Sequence, residues 1–390
     1  MLSSGDPGRH DGRRLQDLAA RIVAHYRRHR RDLPWRNTRD PYAIWICEIM
    51  AQQTRLETMR PYWERWMARF PTVRELAAAP LDDVLGLWAG LGYYRRARNL
   101  HAAARVIVER HGGVFPDDEQ AIAALPGVGR YTTGAIASIA FGRRLPVLDG
   151  NVRRVLARLS GVTTDSALWA RAEELVPADA PGDFNQGLMD LGATLCTPRD
   201  PRCLLCPVST DCLARREGRI DELPGARRRP ATPIVDVDVA WVVRGGRCLM
   251  ARRVPDGLYG GLWELPEAAA VRARLAGEPV ATHTQKLSHR TLVYRVRAGT
   301  LSGRLRPAAP YDTLRLVEPG TLAGLAVSSA TASLLAALMK GTPWPTPNAP
   351  PSSSPRASRR SSPASPSSAT TSTTTTSARP RRGRPGASPR

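Results

Sequence analysis

Four cysteines lie close together at Cys196, Cys203, Cys206 and Cys212, with the spacing C-x6-C-x2-C-x5-C. Four thiolates on one short loop can bind either a structural zinc ion or a 4Fe-4S cluster, because both take four sulfur ligands. Zinc sites usually pair their cysteines as two close units far apart in sequence, and here only Cys203 and Cys206 are paired in that way. The spacing therefore favours a 4Fe-4S cluster. Zinc, or thiols without a ligand or in disulfides, are the alternatives.

Two carboxylates have surroundings that suit acid catalysis. Glu48 interrupts the apolar run of residues 43–51, so on a helix its apolar neighbours would raise its pKa and favour the protonated acid. Asp149 stands just before a helix expected to open at Asn151, where the helix dipole favours an ionised carboxylate. Such a pair suits cleavage of an N-glycosidic bond, with Glu48 protonating the leaving base and Asp149 stabilising the oxocarbenium-like sugar. The alternatives are a salt-bridged helix residue and a plain N-cap.

The segment Leu125–Tyr131, with the sequence LPGVGRY, is typical of a helix-hairpin-helix turn. Gly127 and Gly129 would allow a tight turn whose backbone N–H groups face a DNA phosphate. An ordinary turn between two helices is the alternative. The formal charge of +22 supports a polyanionic partner, because the eight arginines of residues 341–390 still leave +14 on the rest of the chain.

The period of the apolar residues indicates a mainly α protein with a second, α/β part. Residues 15–213 follow a helical period, residues 214–233 form a polar basic linker, and residues 234–340 contain alternating strand patterns. Within the α/β part residues 235–239 alternate strictly, and we expect a β-hairpin over residues 241–250 with its turn at Gly245-Gly246. The Pro/Ser/Thr/Arg-rich tail, residues 341–390, is expected to be disordered.

The composition also predicts the compartment. The sequence has no apolar stretch near twenty residues, and residues 1–14 lack the apolar segment of a signal peptide. Besides the four clustered cysteines it has only Cys47 and Cys248, each isolated in an apolar run, which fits a reducing environment. We therefore expect a cytoplasmic protein, associated with the nucleoid through DNA, that does not bind membranes.

In combination, the hairpin turn, the segment 145–155 and the cysteine loop 196–212 resemble the helix-hairpin-helix superfamily of DNA glycosylases. The segments 33–36 (LPWR), 41–54 (PYAIWICEIMAQQT) and 90–100 (GLGYYRRARNL) closely resemble adenine DNA glycosylases of the MutY type. That resemblance implies removal of adenine opposite 8-oxoguanine or guanine in duplex DNA, and we expect a monomer. An endonuclease III-like glycosylase acting on damaged pyrimidines is the alternative.

The resemblance also implies roles for single residues. Glu48 would be the acid and Asp149 the sugar stabiliser, with Tyr131 and Asn151 in support. Trp35 and Arg36 would line the adenine pocket, and Gln53, Leu91 and Tyr93 would fill the stack around the flipped base. The lyase branch has a lysine where this chain has Tyr131, and no lysine precedes Lys286, so we expect a glycosylase without Schiff-base chemistry.

The second part resembles a Nudix fold at Gly260–Pro266, with the sequence GGLWELP. The residues that follow lack the glutamates with which Nudix hydrolases bind magnesium, so hydrolysis by this part is not expected. In the family the corresponding domain reads 8-oxoguanine through an F-S-H loop. This chain has Leu287-Ser288-His289, which departs at the first position, so Ser288 and His289 are the lesion-reading candidates.

Overall fold

The computed structural model describes residues 7–225, 231–301 and 304–341. The predicted tail therefore lies outside the described residues except for Gly341, as do residues 226–230 of the predicted linker. The α-helices are α1 (Pro7–His29), α2 (Pro41–Ala51), α3 (Leu56–Arg69), α4 (Val73–Ala78), α5 (Leu81–Trp88), α6 (Arg95–His111), α7 (Glu119–Ala123), α8 (Arg130–Phe141), α9 (Gly150–Ser160), α10 (Asp165–Leu175), α11 (Pro181–Thr194), α12 (Leu213–Arg216) and α13 (Ser329–Gly341). The strands are β1 (Ile234–Trp241), β2 (Val243–Arg244), β3 (Arg247–Arg253), β4 (Trp263–Glu264), β5 (Arg274–Lys286), β6 (Thr291–Thr300) and β7 (Tyr311–Val317).

The two helices that carry the candidate carboxylates each begin at an aspartate N-cap. The Asp40 carboxylate accepts hydrogen bonds from the backbone N–H groups of Tyr42 and Ala43, and Pro41 occupies the first position of α2. Asp149 caps α9 through a hydrogen bond of 2.7 Å from the N–H of Val152. Both starts are fixed by local hydrogen bonds.

The helical part is built around two apolar clusters. One surrounds α2, which is buried along almost its whole length, and contains large aromatic side chains such as Trp45, Trp66 and Trp88. The other joins α1, α9 and α11. Helix α8 lies between the clusters, since Ala135 belongs to the second and Ile136 to the first. The loop before α8 and the start of α9 are thereby brought close to the end of α2.

The α/β part contains two sheets, one with the order β1-β6-β5 and one in which β3 pairs with β2, β4 and β7. The turn at Gly245-Gly246 joins β2 to β3, and both glycines have positive φ, as a tight hairpin turn requires. The predicted hairpin is confirmed, with Val243 opposite Cys248. Strand β1 precedes it and pairs in parallel with β6, with Val239 opposite Val296.

The α/β part contacts the helical part directly. Leu262 and Ala326 are buried in the cluster around α2, and the hydroxyl of Tyr94, the N-cap residue of α6, donates to the Val327 carbonyl over 3.3 Å. The Arg98 guanidinium on the same helix donates to the Gly260 carbonyl. Helix α6 therefore positions the segment 257–262 beside the helices. No helix among the described residues is long and apolar enough to cross a membrane.

Candidate active site

The four predicted catalytic residues line one cleft of about 700 Å³ at the end of α2. Glu48 comes from α2, Tyr131 from the first turn of α8, and Asp149 and Asn151 from the start of α9. Three separate elements thus place two carboxyl groups, a phenol and an amide around one space. Trp35, Arg36 and Gln53 also line this cleft.

Glu48 is buried, with 8% of its surface exposed. Burial raises its pKa to about 6, against the lowering effects of the hydrogen bond from Tyr131 and the charge of Arg36. The Tyr131 hydroxyl donates to Glu48 Oε2 over 2.8 Å. Glu48 can therefore carry a proton near neutral pH, as acid catalysis requires.

Tyr131 is itself half-buried. Burial and the neighbouring carboxylates raise its pKa well above the usual value, so its phenol stays protonated and remains a hydrogen-bond donor. Its oxygen also lies 3.1 Å from Met189 Sδ. Because the phenol has one proton, it serves Glu48 or Met189 at a given moment, and the carboxylate is the stronger acceptor.

The structure corrects one expectation about Asp149. Its pKa is raised, not held low, because burial outweighs the hydrogen bonds from Val152 N–H and from Asn151 Nδ2, the latter over 3.2 Å. The helix start is present, but the carboxylate is also removed from water. The simple picture of two carboxyl groups with pKa values displaced in opposite directions is therefore wrong.

Asn151 is positioned by Arg154, to which the sequence reasoning gave no role. Arg154 Nη2 donates to Asn151 Oδ1 over 2.9 Å and to the Gly192 carbonyl over 2.7 Å, and Arg154 Nε donates to the Cys196 carbonyl over 2.7 Å. Because Asn151 Oδ1 accepts a hydrogen bond from Arg154, the NH2 group of the same side chain points towards Asp149. A helical spacing of three residues was the only signal for this contact.

Arg36 lines the cleft with its charge already paired. It forms a two-point ion pair with Asp190 at 2.6 and 2.8 Å, and Arg31 donates to the same carboxylate. Trp35 is only 7% exposed and packs edge-on against Trp63 at 5.7 Å between ring centroids. Both therefore form the wall of the cleft, and Asp190 is a residue of this site that the sequence did not reveal.

A second cleft of about 570 Å³ lies between the helical and the α/β parts. It brings together the other predicted contact residues, namely Gln53, Leu91, Tyr93, Ser288 and His289. Gln52 and Gln53 border both clefts, so the two spaces are neighbours. Residues predicted from distant parts of the sequence therefore fall into two adjoining groups.

The second cleft has an unusual backbone on one side and a turn on the other. Gln53 and Tyr93 have φ values of 56° and 49°, which residues with a side chain rarely adopt, and Tyr93 is 44% exposed. Opposite them, Leu287 N–H donates to the Arg290 carbonyl over 2.9 Å and closes a turn around Ser288 and His289. Leu91, by contrast, is buried.

The helix-hairpin-helix segment has the expected turn between α7 and α8. Gly127 has φ of 78°, and a Cβ there would lie 2.6 Å from Asn99 Cβ, so a glycine is required. Gly129 is the N-cap of α8, with φ of −107° and open space around its Cα. Its lack of a side chain leaves the helix N-terminus accessible, but its backbone does not demand glycine. Contact of either residue with DNA stays a prediction.

The four clustered cysteines are free thiols that line one small cavity. Arg158 Nη1 approaches Cys196 Sγ at 3.5 Å, and burial raises the pKa of Cys206 to about 11. Within the described residues, no three His, Cys, Asp or Glu side chains converge as they would on a single metal ion.

Comparison with known proteins gives one family. Residues 46–178 match the model of the HhH-GPD superfamily of base excision DNA repair proteins. The adenine DNA glycosylase of Rattus norvegicus is 38% identical over 326 residues, covering 68% of this chain and 61% of the rat protein. That of Homo sapiens is 36% identical over 364 residues, covering 73% of this chain and 67% of the human protein. This chain thus spans about three fifths to two thirds of the length of these relatives.

A solved structure described as a thermostable thymine-DNA glycosylase is 33% identical to this chain, with a TM-score of 0.50. The match covers 53% of this chain and 99% of that protein. The helical fold described above is therefore shared with a solved DNA glycosylase.

Proposed function

Because the chain belongs to the HhH-GPD superfamily and, within it, to the adenine DNA glycosylases, we propose that it hydrolyses the N-glycosidic bond of adenine opposite 8-oxoguanine or guanine in duplex DNA. The observation that carries this proposal is the pairing of a protonatable, buried Glu48 with Asp149 in one cleft. A base flipped from the duplex would enter this cleft.

In the proposed reaction, protonated Glu48 donates its proton to a ring nitrogen of adenine as the bond from that base to C1′ breaks. Both electrons of the bond leave with the base, and a positive charge develops on the sugar. Asp149 stabilises that charge in its ionised form, and water then adds at C1′ and loses a proton. Glu48 and Asp149 thus have separate tasks although burial raises the pKa values of both.

Tyr131 and Asn151 orient the two carboxylates in this proposal, through the hydrogen bonds at 2.8 and 3.2 Å. No lysine precedes Lys286 in the chain, so the helical part contains no primary amine of a lysine side chain to attack C1′. We therefore infer a glycosylase that releases the base and leaves the sugar–phosphate backbone intact.

The second cleft is proposed to receive the base opposite adenine. Tyr93 and Gln53 project from the helical side and would fill the space that the flipped base vacates. Ser288 lies on the α/β side, where its hydroxyl would hydrogen-bond 8-oxoguanine. The N-terminus of α8 behind Gly129 would hold a phosphate of the same duplex.

The cysteine loop is proposed to hold a 4Fe-4S cluster through Cys196, Cys203, Cys206 and Cys212. The four thiols line one cavity, and a 4Fe-4S cluster takes four such sulfur ligands. We assign the cluster a structural task, which is to fix the loop that presents the exposed Arg199 and Arg202 to phosphate.

The test is release of adenine from matched duplexes under single-turnover conditions. Adenine opposite 8-oxoguanine and opposite guanine should be released, and oxidised pyrimidines should not. Glu48→Gln should lower the rate by about 10²–10⁴-fold, the usual contribution of a general acid, while duplex binding persists. Glu64→Gln, an exposed carboxylate of α3 outside the cleft, is the matched control and should act like the wild type. Release of oxidised pyrimidines with no release of adenine would contradict the proposal.

A further inference from the structure

Arg96 on α6 joins the segment that borders both clefts, at residues 52–54, to a second segment that lines only the second cleft. Its side chain is buried, with the residue 8% exposed, and both terminal nitrogens donate hydrogen bonds. The acceptors are the carbonyls of Ile49 (2.9 Å), Met50 (2.9 Å), Gln52 (2.5 Å), Leu91 (3.3 Å) and Gly92 (3.1 Å), and the hydroxyl of Thr54 (3.2 Å). One guanidinium therefore connects the end of α2 and residues 52–54 with residues 91–92.

The charge of Arg96 is stabilised by neutral groups, most of them backbone carbonyls. No carboxylate of the described residues forms an ion pair with it, and burial lowers its pKa to about 10, so it is still charged at neutral pH. The rings of Trp88 and Tyr93 flank the guanidinium at 5.0 and 5.5 Å. Carbonyl groups that turn towards a buried charge in this way are fixed in direction.

Each of the segments that Arg96 joins contains one residue of the second cleft with a strained backbone. Gln53 and Tyr93 have positive φ, a conformation that persists only where surrounding contacts impose it. The carbonyls of Gln52 and Gly92, each next to one of these residues, both accept from Arg96. The hydrogen bonds of Arg96 thus act at the points where the backbone is least favourable.

We propose that Arg96 is a positioning residue that locks residues 52–54 and 91–93 in one arrangement and so presents Gln53 and Tyr93 to the duplex before it binds. Its effect on activity rests on the proposed function, but its effect on the two segments does not. Lysine cannot replace it, because a single ammonium nitrogen cannot reach both segments as the two terminal nitrogens of arginine do.

The first test is hydrogen exchange of the free protein, which needs no substrate. In Arg96→Lys, amides of residues 51–55 and 90–94 should exchange at least about tenfold faster, while α9 and α11 are unchanged. Arg105→Lys, at an exposed position of the same helix, should leave all segments as in the wild type. Exchange in both segments of Arg96→Lys equal to the wild type would overturn the proposal.

The second test separates positioning from general loss of stability. Ile107→Ala, a buried position of α6, serves as a variant with a comparable fall in Tm. Single-turnover adenine release by Arg96→Lys should fall about tenfold below that control, with an unchanged pH profile because Glu48 is untouched. Equal rates for the two variants would overturn the positioning role. If the wild type releases no adenine from any duplex, the proposed function fails, and hydrogen exchange still decides the case of Arg96.

Discussion

Removing the Tyr131 hydroxyl should move the pH dependence of base release to higher pH. The phenol donates to Glu48 Oε2 over 2.8 Å, and this hydrogen bond is the largest effect that lowers the pKa of Glu48. Because it favours the ionised carboxylate, its loss raises the pKa of Glu48 further. Glu48 then stays protonated to higher pH, so Tyr131→Phe should keep its own maximal rate of base release over a wider pH range.

The size of the shift follows from the strength of that bond. A hydrogen bond to a charged group contributes about 1.5–3 kcal/mol. One pKa unit corresponds to about 1.4 kcal/mol, so the pKa of Glu48 should rise by about one to two units. With a pKa of about 6 in the wild type, roughly 1% of Glu48 is protonated at pH 8. A value one unit higher would make that roughly 10% in Tyr131→Phe.

The assay is single-turnover adenine release between pH 5 and 9, with each variant normalised to its own maximal rate. Tyr42→Phe is the control, because Tyr42 is a buried tyrosine of the same helix as Glu48 and donates to the Phe70 carbonyl over 2.8 Å. Tyr42→Phe removes one buried hydrogen bond at a residue that does not line the cleft. An alkaline limb that stays in place or moves to lower pH in Tyr131→Phe would refute the assignment of Glu48 as the acid that Tyr131 tunes.

Three further outcomes are expected. Folding raises the pKa of Glu48 from 4.5 to about 6, so ionisation of Glu48 lowers the free energy of unfolding as pH rises through that interval. At pH 7.5 the free energy of unfolding of Glu48→Gln in urea should therefore exceed that of the wild type by about 2 kcal/mol. At pH 4 this gain should be absent. Ser288→Ala should reduce discrimination of 8-oxoguanine from guanine opposite adenine by about 1–3 kcal/mol in the ratio of release rates, and an unchanged ratio would remove its role. Cys203→Ser should lose the iron, about four atoms per chain in the wild type by metal analysis, and bind duplex more weakly; stoichiometric zinc in the wild type would contradict this.

Features set by neighbouring residues could be predicted from the sequence. The caps of α2 and α9 depend on Asp40 and Asp149 and on N–H groups two or three residues away, so each helix start is determined locally. The turn at Gly127 depends on a φ that glycine alone adopts readily. The pairing of β1 was missed because its alternation predicts a strand and says nothing about a partner some fifty residues later.

The electrostatics of the site could not be predicted in the same way. Glu48 was correctly expected to have a raised pKa, since its apolar neighbours are on its own helix. Asp149 was assigned the wrong direction because its burial comes from packing of other helices against the start of α9. Arg96 stands inside a recognisable motif, but four of its six acceptors lie more than forty residues earlier, in α2 and the following loop.

Asp190 shows how a residue outside the motifs determines the chemistry inside them. Arg36 is the cation that lowers the pKa of Glu48, and an unpaired guanidinium in this wall would favour the ionised form of Glu48 more strongly. The two-point ion pair with Asp190 at 2.6 and 2.8 Å sets a negative charge against that guanidinium. Burial then outweighs the remaining attraction, and Glu48 can hold its proton close to neutral pH. The acid therefore depends on a carboxylate of α11, 142 residues away in the chain, that need not touch the substrate.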